Sequence, residues 1–172
     1  MLILNSDNIY RVYKMQQEIE QLVDEYGWDG DQISLQSPDG NFHTGNGKIE
    51  WSSGYTEEDF VQINTPDDWE LTKFLKQENL YRTRIMNLQQ KRCYTWHQDR
   101  SPRVHLAVKT HPACMMIVED SVFHIPADGR PYWVDTRKFH TALNAMPWPK
   151  GLDKDAELSF ERYHLVGCVR NV

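Results

Sequence analysis

The sequence contains only three cysteines among its 172 residues, Cys93, Cys114 and Cys168. They lie far apart, form no CxxC pair and are odd in number. This pattern argues against both a disulfide framework and a cysteine-ligated structural zinc site. Reduced thiols are typical of an intracellular compartment, and we therefore expect a cytoplasmic protein.

Long apolar runs are also missing. No stretch approaches the roughly 20 apolar residues that a helix needs to cross a bilayer. Residues 1–14, MLILNSDNIYRVYK, lack the basic segment and the apolar run of a signal peptide. We therefore expect neither a membrane-spanning segment nor a secretory leader.

An excess of positive charge is absent as well. The chain has 19 Lys and Arg against 25 Asp and Glu, a formal net charge of −6. General nucleic-acid binders usually carry a basic surface, so we expect no nucleic-acid partner. Local basic residues can still line a pocket, because net charge says nothing about a single site. The expected ligand is a small molecule or a peptide, and the oligomeric state stays open.

The length fits one domain, residues 1–172, without internal repeats. Its first part, residues 1–80, is predicted to consist of helices and loops. Apolar residues recur at helical spacing over 6–26, where Ser6 offers an N-cap oxygen and Gly27 a stop. A second helix is predicted from Pro66, which suits a first helical turn, to about Glu78.

Between these helices the chain is rich in Gly, Asn, Asp and Ser, from Asp29 to Gly54. It contains one short strand candidate, Gln32–Gln36, followed by a SerProAspGly turn. This polar stretch predicts a hairpin or loop region near a rim, outside the core.

Beyond Leu80 short β-branched and aromatic runs alternate with turn signals. That spacing predicts a β-sandwich or barrel, so the fold class is mainly β with N-terminal helices. The predicted strands are Tyr81–Leu88, Cys93–His97, Arg103–Lys109, Cys114–Glu119, Ser121–Ile125, Tyr132–Asp135, Lys138–Asn144 and Glu161–Val169.

The sharpest chemical feature is TrpHisGlnAsp at 96–99. Residues two apart in a strand project to the same face, so His97 and Asp99 are expected to point the same way. An imidazole and a carboxylate on one face are two members of a 2-His-1-carboxylate triad, which leaves open positions on iron. His140, on a later strand that returns toward this pair, is the best candidate for the third ligand.

Two further strands place an arginine and a histidine on one face, as Arg103 with His105 and as Arg162 with His164. One interpretation is an exposed, charged sheet face. The other is a pocket for a dicarboxylate, because the planar guanidinium matches a carboxylate bidentately. For Arg82 and Arg84 surface charge is the favoured interpretation, and contact with an anionic substrate is the alternative.

The order of these motifs resembles the 2-oxoglutarate/Fe(II) oxygenases. It runs His-x-Asp, Arg-Val-His-Leu-Ala-Val, a Gly-containing turn, His-x-Ala-x-Asn and Arg-x-His-Leu-Val. Within them the chain is most similar to the aspartyl/asparaginyl β-hydroxylase-like group, over roughly residues 80–170. The resemblance implies a double-stranded β-helix, a cupin-like jelly roll, over residues 81–172.

The resemblance also implies roles for individual residues. His97 and His140 match the iron ligands, and Arg162 matches the arginine that binds the distal carboxylate of 2-oxoglutarate. Arg103 and His105 match a pair near its 1-carboxylate. The vertebrate aspartyl hydroxylases lack the carboxylate ligand, whereas Asp99 is present here. The implied cofactors are Fe(II), 2-oxoglutarate as cosubstrate, and dioxygen.

The implied reaction is hydroxylation of an Asp-, Asn- or Pro-like side chain, in a peptide or in a free amino acid. The stretch between His140 and Arg162 is longer than in the compact members, and its insertion at 145–158 is expected to form the substrate rim with the polar stretch at 29–54. Two alternatives remain open. One is a cupin-type metal enzyme that does not use 2-oxoglutarate, and the other is a non-catalytic jelly-roll binding module.

Overall fold

The computed structural model describes residues 3–147 and 160–169. These residues form two α-helices, α1 (Val12–Tyr26) and α2 (Glu70–Gln77), and two short 3-10 helices, Trp51–Ser53 and Glu57–Asp59. The strands are β1 (Ile3–Leu4), β2 (Gln32–Ser34), β3 (Gln36–Ser37), β4 (Gln62–Ile63), β5 (Leu80–Leu88), β6 (Arg92–Cys93), β7 (Arg103–Lys109), β8 (Cys114–Val118), β9 (Ser121–Phe123), β10 (Tyr132–Val134), β11 (His140–Asn144) and β12 (Arg162–Val169).

Two antiparallel sheets face each other. In the described part of the chain the larger has the order β1-β10-β7-β12-β5-β2, the smaller has the order β6-β11-β8-β9, and β3 pairs separately with β4. Residues from the six-stranded and the four-stranded sheet, including Leu88, Met116 and Ala142, form one buried apolar cluster between the two sheets. The fold is therefore the mainly β, cupin-like jelly roll expected from the sequence. Each of the eight predicted strand runs overlaps an observed strand.

The other face of the six-stranded sheet is covered by the two helices. Ile85, Leu106 and Leu165 from this face pack with Ile19 of α1 and Phe74 of α2 in the main core. Successive side chains of a strand point to opposite faces. The residues next to these three in β5, β7 and β12 therefore point into the space between the sheets. Neither helix in the described residues has the length and apolar composition that crossing a bilayer requires.

The predicted start of the first helix is wrong. Helix α1 begins at Val12, and Ser6 does not cap it. Instead, the Ser6 hydroxyl and the Tyr10 hydroxyl donate to Glu78 Oε1 over 2.8 and 2.5 Å. Asn5 and Asn8 donate to the same carboxylate. These long-range hydrogen bonds hold the segment extended before the helix. The predicted stop is confirmed, since the Gly27 amide closes the helix on Val23 O.

The second helix also starts later than predicted, at Glu70 instead of Pro66. The first amides of a helix have no partner within it and need an external acceptor. Here the buried Glu18 side chain of α1 accepts from the amides of Glu70 and Leu71 over 2.8 and 2.9 Å. A carboxylate also suits the positive end of the helix dipole.

The polar stretch at 29–54 is not simply a rim, contrary to the prediction. Strands β2 and β3 lie within it, and every residue of both is buried. Gln36 makes this possible, because its side chain donates to Leu80 O and accepts from the Thr83 amide. A hydropathy pattern does not predict the burial of polar residues whose hydrogen bonds are satisfied inside the protein. The rim predicted after His140 falls largely on residues 148–159, outside the described residues.

We expect Glu78→Gln to lower the free energy of unfolding by about 1–3 kcal/mol. The buried carboxylate accepts four hydrogen bonds, and the NH2 group of glutamine cannot accept the bonds that one of its oxygens accepted. Urea unfolding followed by fluorescence measures the change. Glu50→Gln is the matched control, since Glu50 is exposed. Equal losses in the two variants would contradict the role given to Glu78.

Candidate metal centre

His97, which lies beyond the end of β6, is brought to His140 of β11 by an isolated β-bridge. Each amide donates to the other residue's carbonyl, over 3.2 Å from His97 and 2.9 Å from His140. Paired residues of neighbouring strands project to the same side, and the two ring centroids are 4.3 Å apart. The Asp99 amide donates to Thr136 O, which turns this carboxylate toward the rings. One nitrogen or oxygen from each of the three side chains lies within 4.8 Å of the others.

The tautomers of both histidines follow from their hydrogen bonds. His97 Nδ1 lies 2.7 Å from Thr95 O and His140 Nδ1 lies 3.0 Å from Lys138 O. A carbonyl only accepts, so each Nδ1 carries the proton and each Nε2 keeps its lone pair. These Nε2 atoms lie 4.0 Å (His97) and 3.7 Å (His140) from the Asp99 carboxylate oxygens. Such backbone bonds are the usual support of metal-binding imidazoles.

Burial and charge suit this site to a cation. Burial lowers the pKa of His140, with the neighbouring His97 and Arg103 acting in the same direction. A neutral imidazole is the form that binds metal. The His140 side chain is 7% exposed and that of His97 is 42% exposed, so the centre opens to solvent on the His97 side. Two imidazoles and a carboxylate with an open side fit a divalent transition metal.

Arg103 lies beside the triad with its guanidinium already occupied. Its Nη2 is 2.8 Å from Glu57 Oε1, and its Nε is 3.3 Å from Asp99 Oδ2. Its Nη1 donates to the Ser101 hydroxyl and to Cys168 Sγ. Burial would lower the pKa of Arg103, but the surrounding acidic groups outweigh burial and raise it. All three guanidinium nitrogens of Arg103 therefore contact side chains of this chain.

Arg162 has the opposite surroundings. It is 2% exposed, and among the described residues no carboxylate forms an ion pair with it. Its Nη2 donates to His164 Nδ1 over 2.9 Å and lies 3.9 Å from Met116 Sδ. Burial lowers the pKa of Arg162 to about 10, although the nearby Tyr94 and Cys114 oppose this shift. A buried cation without a counter-charge is costly unless a ligand supplies one.

His105 and His164 line the same interior. Both ring nitrogens of His105 and Nε2 of His164 are buried, and no hydrogen-bond partner for them lies within residues 3–147 and 160–169. Burial, reinforced by the charge of Arg162, holds both pKa values well below the usual histidine range. Unpaired buried polar atoms in a native interior call for an explanation, such as a ligand or water. The Arg and His pairs therefore face the barrel interior, and the exposed-sheet interpretation is wrong.

The strand register connects Arg162 to the triad. Met116, which Arg162 contacts, pairs with Ala142 across β8 and β11. Ala142 and His140 are two apart in β11, so they share a face with a spacing of about 6–7 Å. After burial, the charges of Arg162 and His140 contribute to lowering the pKa of His105. His140 of β11, His105 of β7 and Arg162 of β12 therefore lie on the inner faces of the two sheets.

Arg82 and Arg84 are buried, so the surface-charge interpretation is wrong for both. Arg82 ion-pairs with Glu57, and its Nη2 donates to Gly47 O over 2.9 Å. Arg84 donates to Gln32 Oε1 and Gly47 O over 2.9 and 3.1 Å. Burial lowers the pKa of Arg84 to about 10, with Arg82 and Arg103 adding to the effect. Their observed partners belong to the N-terminal part of the chain.

Sequence reasoning missed Glu57, Ser101 and Cys168 as neighbours of the centre. Glu57 lies in a run of acidic residues at 57–59, which offers no signal of burial. Only its ion pairs with two distant arginines reveal its position. Of the other histidines, His43 is exposed, and His124 Nδ1 lies 2.8 Å from Cys114 O.

No family model matches this sequence, and no curated protein does either. Among solved structures, a cupin-2 domain protein from Shewanella frigidimarina is similar with a TM-score of 0.34 and 11% identity, over 51% of this chain and 71% of that chain. A chain of the Rhodobacter sphaeroides complex of SigE with the anti-sigma ChrR gives 0.33 and 13%, over 51% and 38%. The fold assignment rests on the strand pairing above.

Proposed function

We propose that this protein is a non-haem Fe(II)- and 2-oxoglutarate-dependent oxygenase that hydroxylates an amino-acid side chain. The observation that carries the proposal is the buried Arg162, which has no carboxylate partner among the described residues, in a fold that also brings two histidines and an aspartate together. A dicarboxylate supplies what both sites lack. One carboxylate would balance Arg162, and the other would face the metal.

Different residues would bind the metal and the cosubstrate. His97, Asp99 and His140 would hold the metal through two Nε2 lone pairs and one carboxylate. Arg162 would orient the distal carboxylate of 2-oxoglutarate, and the single N–H of neutral His105 and the Nε2–H of His164 are available as hydrogen-bond donors. When bound, Fe(II), 2-oxoglutarate and dioxygen supply the oxidising chemistry. The apolar cluster between the sheets excludes water from their interior.

The substrate would approach from the open side of the centre. His97 is the most exposed of the three ligand residues, and His140 closes the inner side. An Asp-, Asn- or Pro-like side chain of a peptide, or a free amino acid, is the proposed substrate class. This part of the proposal rests on the resemblance of the motifs at 97–99, 103–108, 140–144 and 162–166.

A second candidate is a cupin-type metal enzyme that does not use 2-oxoglutarate. The observation that favours it is the pair of additional buried histidines, His105 and His164, because cupin metal sites usually contain more than two. Among the described residues, however, only His97, Asp99 and His140 lie close enough together to share an ion. In this candidate Arg162 would bind an anionic substrate instead of a cosubstrate.

The deciding experiment adds Fe(II) and 2-oxoglutarate to the protein without oxygen and records the visible spectrum. We expect the weak charge-transfer band of the chelated complex in the wild type. Asp99→Ala removes the only carboxylate of the triad and should abolish the band. Asp120→Ala, at an exposed aspartate, is the control and should retain it. Metal bound without a band in the wild type would reject 2-oxoglutarate and favour the second candidate.

A further inference from the structure

A buried carboxylate from the N-terminal part of the chain lies just behind the metal triad. Glu57, in the 3-10 helix Glu57–Asp59, is 8% exposed. Its Oε1 pairs with Arg82 Nη1 and, over 2.8 Å, with Arg103 Nη2. Its Oε2 accepts from the Ser101 hydroxyl over 3.4 Å. Two arginines therefore share one glutamate.

Only one of these arginines continues to the metal centre. Arg103 Nε lies 3.3 Å from Asp99 Oδ2, whereas Arg82 continues to Gly47 O instead. The planar guanidinium of Arg103 thus bridges two carboxylates, Glu57 at Nη2 and Asp99 at Nε. Because Arg103 belongs to the buried strand β7, the bridge has a rigid base.

The bridge restricts the rotation of the Asp99 side chain. Oδ2 contacts Arg103, while Oδ1 faces His97 Nε2 at 4.0 Å. An aspartate on an irregular segment otherwise samples several rotamers and presents its oxygens to the metal only part of the time. Glu57 matters because it occupies Nη2 of the guanidinium. Without it, Arg103 is free to take both Asp99 oxygens as a bidentate pair and to compete with the metal.

We propose that Glu57 and Arg103 are positioning residues that hold the Asp99 carboxylate toward the two histidines. The N-terminal part of the chain thereby completes the metal centre of the barrel. The inference rests on the metal site of the proposed function but not on 2-oxoglutarate. Supporting groups of this kind typically contribute about 10- to 100-fold to metal affinity.

Arg82 supplies a matched control. Both arginines are buried and both pair with Glu57, so replacing either with lysine disturbs the same carboxylate. Lysine keeps the positive charge but cannot bridge two carboxylates as a planar fork does. A merely structural role of the network predicts similar effects of Arg82→Lys and Arg103→Lys. A positioning role predicts that only the second changes metal binding.

The experiment titrates Co(II) into the full chain, using its visible d–d bands and calorimetry, with thermal unfolding of each metal-free variant as a test of folding. We expect Arg103→Lys to weaken Co(II) binding by about 10- to 100-fold and to alter the d–d spectrum. Arg82→Lys should bind within about twofold of the wild type, although it too loses stability. Glu57→Gln keeps the shape of the side chain and should weaken binding in the same direction as Arg103→Lys.

Each outcome has one meaning. Wild-type affinity and spectrum in folded Arg103→Lys would overturn the inference while leaving the metal site intact. Equal losses of affinity in both lysine variants would overturn it as well, because the effect would then be structural. If Arg103→Lys does not fold, wild-type affinity in Glu57→Gln overturns the inference, and weakened binding with an altered spectrum supports it. Absence of Co(II) binding to the wild type would instead refute the proposed metal centre.

Discussion

Arg162→Met is expected to weaken 2-oxoglutarate binding by about 100-fold or more and, at the same time, to stabilise the metal-free protein. The loss of affinity follows from removing the buried partner of a desolvated carboxylate, which typically costs about 2–5 kcal/mol. Such a large effect is expected because the described residues place no other unpaired arginine against Met116 and His164.

The gain in stability has a separate cause. In the folded protein without ligand, the guanidinium is buried, the described part of the chain supplies no carboxylate partner for it, and burial lowers its pKa from 12.5 to about 10. A shift of this size corresponds to a penalty on the order of 3 kcal/mol for the charged form. Methionine has a similar length and no charge, and it suits an environment that already contains Met116.

Titration of 2-oxoglutarate into the anaerobic Fe(II) protein measures the first effect, and urea unfolding of the metal-free protein measures the second. Arg137→Met is the control, since Arg137 is half-exposed and pairs with Asp135. It should leave cosubstrate affinity unchanged. A less stable Arg162→Met protein with unchanged 2-oxoglutarate affinity would show that Arg162 is structural and would contradict the proposed site.

The second large effect is a loss of stability in mild acid. His105 and His164 are buried as neutral rings, and their folded pKa values lie well below 6.5. In the unfolded chain both take up protons as the pH falls through about 6.5. The unfolded state then binds more protons than the folded state, so stability is full above this pH and declines below it.

The expected slope is steep. Each buried histidine contributes up to about 1.4 kcal/mol per pH unit below 6.5, so the two together approach about 3 kcal/mol per unit. Urea unfolding at pH 7.5, 6.5 and 5.5 measures this dependence. Carboxylates also titrate toward lower pH, and the difference between variants is therefore the informative quantity.

The double variant His105→Gln, His164→Gln removes both titrating rings and should flatten the decline between pH 6.5 and 5.5. His43→Gln replaces an exposed histidine and should leave the decline as in the wild type. If the double variant and the wild type lose stability in parallel, other groups cause the acid sensitivity, and the neutral buried state of these histidines is refuted.

Much of the barrel could be read from the sequence because its strands alternate cleanly. Arg103–Lys109 was predicted with its observed bounds, and Cys114–Glu119 extends only one residue past β8. The spacing of His97 and Asp99 predicted a shared side, and the structure brings both within reach of His140. His97 and Asp99 lie outside the strands, however, so the bridge from His97 to His140 and the Asp99 amide bond to Thr136 O position them rather than strand alternation.

The helix starts could not be read in the same way. Ser6 is a good N-cap residue by type, yet its hydroxyl donates to Glu78, 72 residues away. The start of α2 depends on Glu18, a residue of another helix. Local propensity is a weak preference of less than about 1 kcal/mol per residue, and a buried carboxylate with several donors outweighs it.

The sequence by itself determined the strand pattern, the mainly β class and the residue types of the candidate centre, because these depend on spacing along one strand. The sequence did not determine which of the arginines pair with carboxylates in the fold. Arg103 and Arg162 have the same pattern, each followed two residues later by a histidine, yet within the described residues only Arg103 has carboxylate partners. Which charge is balanced depends on distant segments that meet only in the folded chain, and the tertiary structure alone therefore distinguishes a positioning arginine from a ligand-binding one.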